Sequence, residues 1–200
     1  MAVWDQRFAA TEGFVFGTEP NQFLVRQATR LTPGMKVLAV ADGEGRNGVW
    51  LARQGLNVTA VDGSRVALGK AERLARERGA HIETVCADLV TWDWGANQYD
   101  AVVAIFIQFA GPRLRPVLFQ RAHGALKAGG LFLLEGYTPK QLEYKTGGPS
   151  ALANLYTESQ LREELAGFDI LHLAAYDTEL SEGNGHKGMS AVVDVVARKA

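Results

Sequence analysis

Short apolar runs alternate with stretches of helical period along the 200-residue chain, which predicts a succession of parallel βαβ units. Lys36–Ala41 (KVLAVA) is apolar and ends at a glycine-rich turn, and Asn47–Gln54 then reads as a helix. Asn57–Val61 supplies a second strand through its β-branched residues. Ser64 is placed to cap an amphipathic helix with Val66, Leu68, Ala71, Leu74 and Ala75 on one face, stopped by Gly79. His81–Ala87 gives a third strand and Tyr99–Ile107 a fourth, almost wholly apolar as a central parallel strand should be. Pro112–Lys127 predicts the next helix, ended by Gly129-Gly130, and Leu131–Glu135 a fifth strand. Thr157 caps a short helix to Ala166. Phe168–Asp177 and Met189–Arg198 then follow with no helix between them, so they should form an antiparallel hairpin.

Two regions escape this scheme. Residues 1–32 precede the first strand as a cover segment with a helix near Asn21–Arg30, leaving 33–200 as the core of one domain. Residues 138–153, containing Gly147-Gly148-Pro149, read as a long loop and a candidate lid over an acceptor.

Composition narrows the class. With 47% hydrophobic and 22% charged residues the chain has the make-up of a soluble globular protein. A net charge of -1 gives no general attraction to nucleic acid, and the basic stretch Arg65–Arg78 is broken by Glu72 and Glu77. Asp5, Arg7 and Glu12 speak against a secretory leader, and no apolar run reaches membrane-spanning length. The single cysteine, Cys86, lies in an apolar run and reads as a structural thiol in a reducing, cytoplasmic setting. A monomer or homodimer is expected.

The chemistry gathers at strand ends, where open α/β sheets bind ligands. After the first strand comes Ala41-Asp42-Gly43-Glu44-Gly45-Arg46-Asn47, whose glycines let the backbone approach a ligand. Asp62 ends the second strand, where a carboxylate can accept from both hydroxyls of a ribose. Asp88 ends the third. A glycine loop alone also marks an ordinary tight turn; three consecutive strand ends of this kind line one crevice.

These segments, VLAVADGEGRNGVWLA, VTAVDGS, CADL, YDAVVAIF and ALKAGGLFLLEGY, resemble the class I S-adenosylmethionine (SAM)-dependent methyltransferases. The likeness is to a small bacterial branch related to tellurite-resistance and thiopurine methyltransferases. It implies an α/β, Rossmann-like seven-stranded sheet of order 3-2-1-4-5-7-6, with strand seven antiparallel and helices on both faces. It further implies that Asp42, Gly43 and Gly45 wrap the methionine part of SAM, and that Asp62 holds the ribose with Gly63 and Ser64 flanking the adenosine. Asp88 and the Leu89 backbone would read the adenine, and Ala104 and Ile105 would lie beneath the sulfonium with Phe106. Gln108 would border the acceptor pocket. Phe14, Phe16, Gly17, Pro20 and Asn21 match a segment that folds over the cofactor in such enzymes. Where many members have an acid and a glycine in strand one, this chain has Ala39 and Ala41, so Asp42 is left to supply the acid.

A small-molecule acceptor is expected, with positioning rather than covalent catalysis. No metal-ligand or Ser/His/Asp pattern appears, and an acceptor that is already anionic needs no base. Glu135 and Tyr137 close strand five toward the crevice, and Tyr144 lies on the loop after it. Trp92 and Trp94 either stack on a ligand or cover the sheet edge. His186, in the glycine-rich connection 182–188, reads first as a surface tip, with approach to the acceptor as the alternative. Two rivals remain. One is a non-catalytic SAM-binding protein; the other is an NAD-dependent oxidoreductase, for which Gly43-Glu44-Gly45-Arg46-Asn47-Gly48 formally provides GxGxxG.

Overall fold

The computed structural model describes residues 2–183 and 185–200. In chain order its elements are α1 (Ala2–Ala9), α2 (Gln22–Arg26), β1 (Lys36–Val40), α3 (Arg46–Arg53), β2 (Asn57–Asp62), α4 (Arg65–Glu77), β3 (Glu83–Cys86) and β4 (Tyr99–Ile105). Then follow α5 (Arg115–Ala125), β5 (Leu126–Tyr137), α6 (Gln141–Tyr144), α7 (Glu158–Glu164), β6 (Phe168–Glu182) and β7 (His186–Lys199). The seven strands form one sheet of order β3-β2-β1-β4-β5-β7-β6, as expected. β7 runs antiparallel to both neighbours and the other pairings are parallel.

Alternation along the central strands divides the core. On β1, Val37 and Ala39 face one way, with Val49, Leu51, Leu74 and the α2 residues Phe23 and Leu24. Leu38 and Val40 face the other, with Leu118, Phe119, Phe132 and Leu161. Burying helices on both faces makes these strands apolar without a break. The second layer is fastened by Arg115, fully buried, which donates to Glu164 through Nε (2.6 Å) and Nη2 (2.7 Å). Ser64 caps α4 and Thr157 caps α7 through their hydroxyls, as their positions predict.

Four boundaries differ from the sequence reading. The third strand is only Glu83–Cys86, and the helix after β4 begins at Arg115 with Pro116 in its first turn. β5 starts at Leu126 and runs through Gly129-Gly130, which therefore do not end the helix outside the sheet. The hairpin is far longer than Phe168–Asp177 and Met189–Arg198: its ladder pairs Phe168 with Lys199 and continues to Glu182 opposite His186. Paired backbone groups carry the strands beyond the apolar residues that periodicity detects. Asn184, in the connection, lies outside the described residues.

None of residues 138–153 lines the crevice. They contain α6, and Gln141 is buried and ties them to the hairpin by accepting from the Ala191 N–H (2.9 Å). Thr146 adds a bond from its hydroxyl to the Met189 carbonyl.

Candidate functional site

At the carboxyl ends of β1, β2, β3 and β4 lies a cavity of about 360 Å³. Ala41, the last residue before its glycine loop, has φ 50°, and Gly43 and Gly45 have φ 57° and 85°. A left-handed alanine costs on the order of 1–2 kcal/mol, and it stands where the resembled family has glycine. Gly45 is needed twice over, since a Cβ there would lie 2.5 Å from that of Ala71. It caps α3 and seats the loop on α4 rather than lining the cavity.

Asp42 lines the cavity while its carboxylate accepts from the Gly48 N–H (3.1 and 3.2 Å). Loss of water raises its pKa to about 7, against the opposing pull of the Gly48 hydrogen bond. A Cβ on Gly48 would sit 2.5 Å from the Asp42 Oδ2. The third glycine of the formal GxGxxG register therefore makes room for this carboxylate.

Asp62 is buried at the end of β2, where its oxygens accept from Gly43 N (2.9 Å) and Ser64 N (2.8 Å). One lone pair on each oxygen is thus left for a diol. Desolvation raises its pKa, and these backbone donors work in the opposite direction. Gly63 and Ser64 line the cavity beside it. Asp88 is exposed, with Oδ1 bound to Val90 N (2.8 Å), and Leu89 is buried against the same wall. Ile105 and Phe106 complete the floor; Ala104 is buried beneath and does not reach it.

Trp92 and Trp94 take the structural alternative: Trp94 is buried, donates its indole N–H to the Leu89 carbonyl, and neither lines the cavity. Gln108 is also structural, its amide accepting from Tyr137 N and donating to the carbonyls of Tyr137 and Asn154. Tyr144 lies apart, donating to Asp177 (2.8 Å).

Glu135 sits under the floor, opposite Asp194 on β7. Burial, then the facing Asp194 carboxylate, holds it well above the usual carboxylate range. Its Oε1 accepts from the Asn21 amide, which also donates to Glu182 Oε1 (3.1 Å).

His186 is the largest departure from the sequence reading. It is a strand residue, 8% exposed, and forms part of the cavity wall. Its ring stacks on Phe106 (4.3 Å) and Phe16 (4.9 Å), and Nδ1 meets the Tyr137 hydroxyl. Burial, reinforced by Arg46 and Arg7, lowers its pKa to about 3, so the imidazole is neutral. Phe106, at φ 55°, is turned into this stack at the end of β4.

Several site residues escaped the sequence reading. Arg46 and Asn47 line the cavity, Arg46 paired with buried Glu182 (2.7 Å) and Asn47 accepting from Asn21 N (2.9 Å). Glu44 accepts from Val15 N and Phe16 N, and Lys70 bridges Glu44 (2.9 Å) to the carbonyls of Thr11 and Gly13. The cover segment is thereby tied to the glycine loop. Trp4 and Phe8 of α1 also line the cavity, as do Phe109 and Leu114. Nothing local marks these positions, because long-range ion pairs and aromatic packing leave no short-range pattern.

Residues 37–130 match the family of methyltransferase domains. This segment, a little under half of the chain, is similar to methyltransferase domains. An uncharacterized methyltransferase of Synechocystis sp. is 29% identical over 121 residues, covering 60% of this chain and 55% of the relative. Carboxy-S-adenosyl-L-methionine synthase of Helicobacter hepaticus is 35% identical over 75 residues, 37% of this chain and 30% of that protein. The chain thus spans about half or less of the length of the curated relatives it matches. The structure of TehB from Haemophilus influenzae shares the fold, with a TM-score of 0.72 at 20% identity over 98% of this chain and 67% of that one.

Proposed function

We propose that the protein methylates a small acceptor molecule, holding SAM in the cavity and acting by positioning rather than through a covalent enzyme intermediate. The observation that carries this reading is the convergence of Asp42, Asp62 and Asp88, from three consecutive strand ends, on one cavity. The residues fit SAM. Gly43 lines the cavity, and a Cβ there would stand 3.5 Å from the Phe8 ring. Asp62 keeps free lone pairs for the ribose hydroxyls, and Asp88 keeps one oxygen for the adenine amino group. Asp42 faces the ammonium end of the methionine part, with Arg46 and Asn47 beside it. A volume of about 360 Å³ lies in the ordinary range for ligand pockets.

When bound, SAM supplies a methyl group already activated on a sulfonium. What remains for the chain is alignment and exclusion of water, and well-oriented reactants gain up to roughly 7–11 kcal/mol this way. Trp4, Phe8 and Phe16 close the cavity from the side of the cover segment. His186 is too weak a base to take a proton near neutrality, and Glu44 is engaged by Lys70 and two backbone N–H groups. The acceptor therefore arrives with its lone pair available.

Calorimetric titration with SAM, its demethylated product and NAD tests the reading. SAM and the product should bind and NAD should not; binding of NAD alone would overturn the assignment. Asp62→Asn should weaken SAM by about 1.5–3 kcal/mol for each charge-assisted bond lost. SAM affinity untouched by this change would place the cofactor elsewhere. Binding without methylation of any thiol, selenol, tellurite or amine would instead support a non-catalytic SAM-binding protein.

A further inference from the structure

The polar groups of the cavity are unevenly placed. Asp42, Asp62 and Asp88 lie on the side of the glycine loop and the β2 and β3 ends. The rest of the lining is mostly apolar: Trp4, Phe8, Phe16, Phe106, Phe109 and Leu114, with the His186 ring among them. Trp4 and Phe109 are 38% and 45% exposed, so the apolar surface continues outward to the mouth.

Beside this apolar surface stands Arg7, a cation without a counter-charge among the described residues. The Arg7 guanidinium lies over the rings of Phe16 (4.9 Å) and Trp4 (5.3 Å), both of which line the cavity. Its Nη2 approaches to 3.4 Å of where a Cβ on Gly185 would stand, next to His186 in the chain. Among the described residues it forms no ion pair, whereas Arg46 is neutralised by Glu182. A guanidinium stacked flat on aromatic rings keeps its N–H edge free for an oxyanion.

We propose that the acceptor is a small aromatic acid, its ring taken between the aromatic walls and its carboxylate recognised by Arg7. This deepens the methyltransferase reading and rests on it. Phe16, His186 and Phe106 stack on one another, and this array lines the cavity with aromatic surface against which a planar ring can pack. Among the described residues the side-chain partner of the Tyr137 hydroxyl is Nδ1 of His186, and either can be the donor.

The test titrates 4-mercaptobenzoate and its uncharged isostere 4-mercaptobenzamide into protein saturated with the demethylated cofactor. Heat and quenching of tryptophan fluorescence serve as readouts. The acid should bind at least about tenfold more tightly than the amide, as one charge-assisted contact allows. Arg7→Gln should abolish that preference and leave the affinity for SAM unchanged, with Arg7→Lys restoring part of it. In turnover, the loss in Arg7→Gln should fall on KM for the acid and not on kcat. Equal binding of acid and amide, binding of neither, or a preference that survives in Arg7→Gln would each overturn the proposal. Failure of the demethylated cofactor to bind would be a different result: it would sink the underlying reading, and this inference with it.

Discussion

Asp42 shows how a single residue is set by its surroundings. Its carboxylate is held over Gly48 at a cavity wall, and desolvation lifts its pKa to about 7. The folded value lies above that of an unfolded aspartate, so the proton is bound more tightly in the fold. That contribution to stability is full below the unfolded value and is lost as pH rises through about 7. Binding of the SAM ammonium group has the opposite preference, since it favours the ionised form. SAM affinity should therefore fall about tenfold between pH 8 and pH 6, with proton release on binding in that range. Asp42→Asn should remove both effects. Calorimetry in buffers of different ionisation enthalpy measures the released proton, and a flat pH profile in the unmodified protein would contradict the assignment.

At the scale of elements, the cover segment depends on contacts made far along the chain. Lys70 of α4, 8% exposed, bridges the carbonyls of Thr11 and Gly13 to Glu44 in the glycine loop, and Glu44 holds Val15 and Phe16. Lys70→Met would leave Glu44 buried without its counter-charge, a change that costs about 3–5 kcal/mol when a buried pair is broken. The expected result is a lower unfolding midpoint, faster hydrogen exchange in residues 11–17 and weaker SAM binding. Retained exchange protection there would show that the segment is held by its aromatic residues instead. The sequence made the existence of this cover segment legible through Phe14, Phe16 and Asn21. Its anchors were not legible, because Lys70 reads as one more charge on an exposed helix face until α1 and the cover are packed on it.

For the whole molecule, the cavity links cofactor binding to global stability. The wall residues come from the cover segment, the glycine loop, the ends of β2, β3 and β4, and β7, so a ligand there binds only the folded chain. At a SAM concentration one hundred times its dissociation constant, the gain should be about 2.7 kcal/mol. For a chain of this size that raises Tm by roughly 5–11 °C. Differential scanning calorimetry should show this shift with SAM and the demethylated product and none with NAD. No helix among the described residues is long and apolar enough to cross a membrane.

The order of elements, the parallel sheet with its closing hairpin, and the strand-end positions Gly43, Asp62 and Asp88 follow from the sequence alone. They are local in origin: periodicity sets strand and helix, and chain connectivity puts the ends of consecutive parallel strands on one side. The apolar end of the cavity was settled by tertiary structure. His186 and Arg7 stand nearly the whole chain apart, and neither position carries a local signal. Only the long β6–β7 ladder and the packing of α1 bring the neutral imidazole, the aromatic rings and the Arg7 guanidinium to one place. Strand pairing extends wherever backbone groups can be satisfied, and burial then decides which side chains titrate, stack or remain charged.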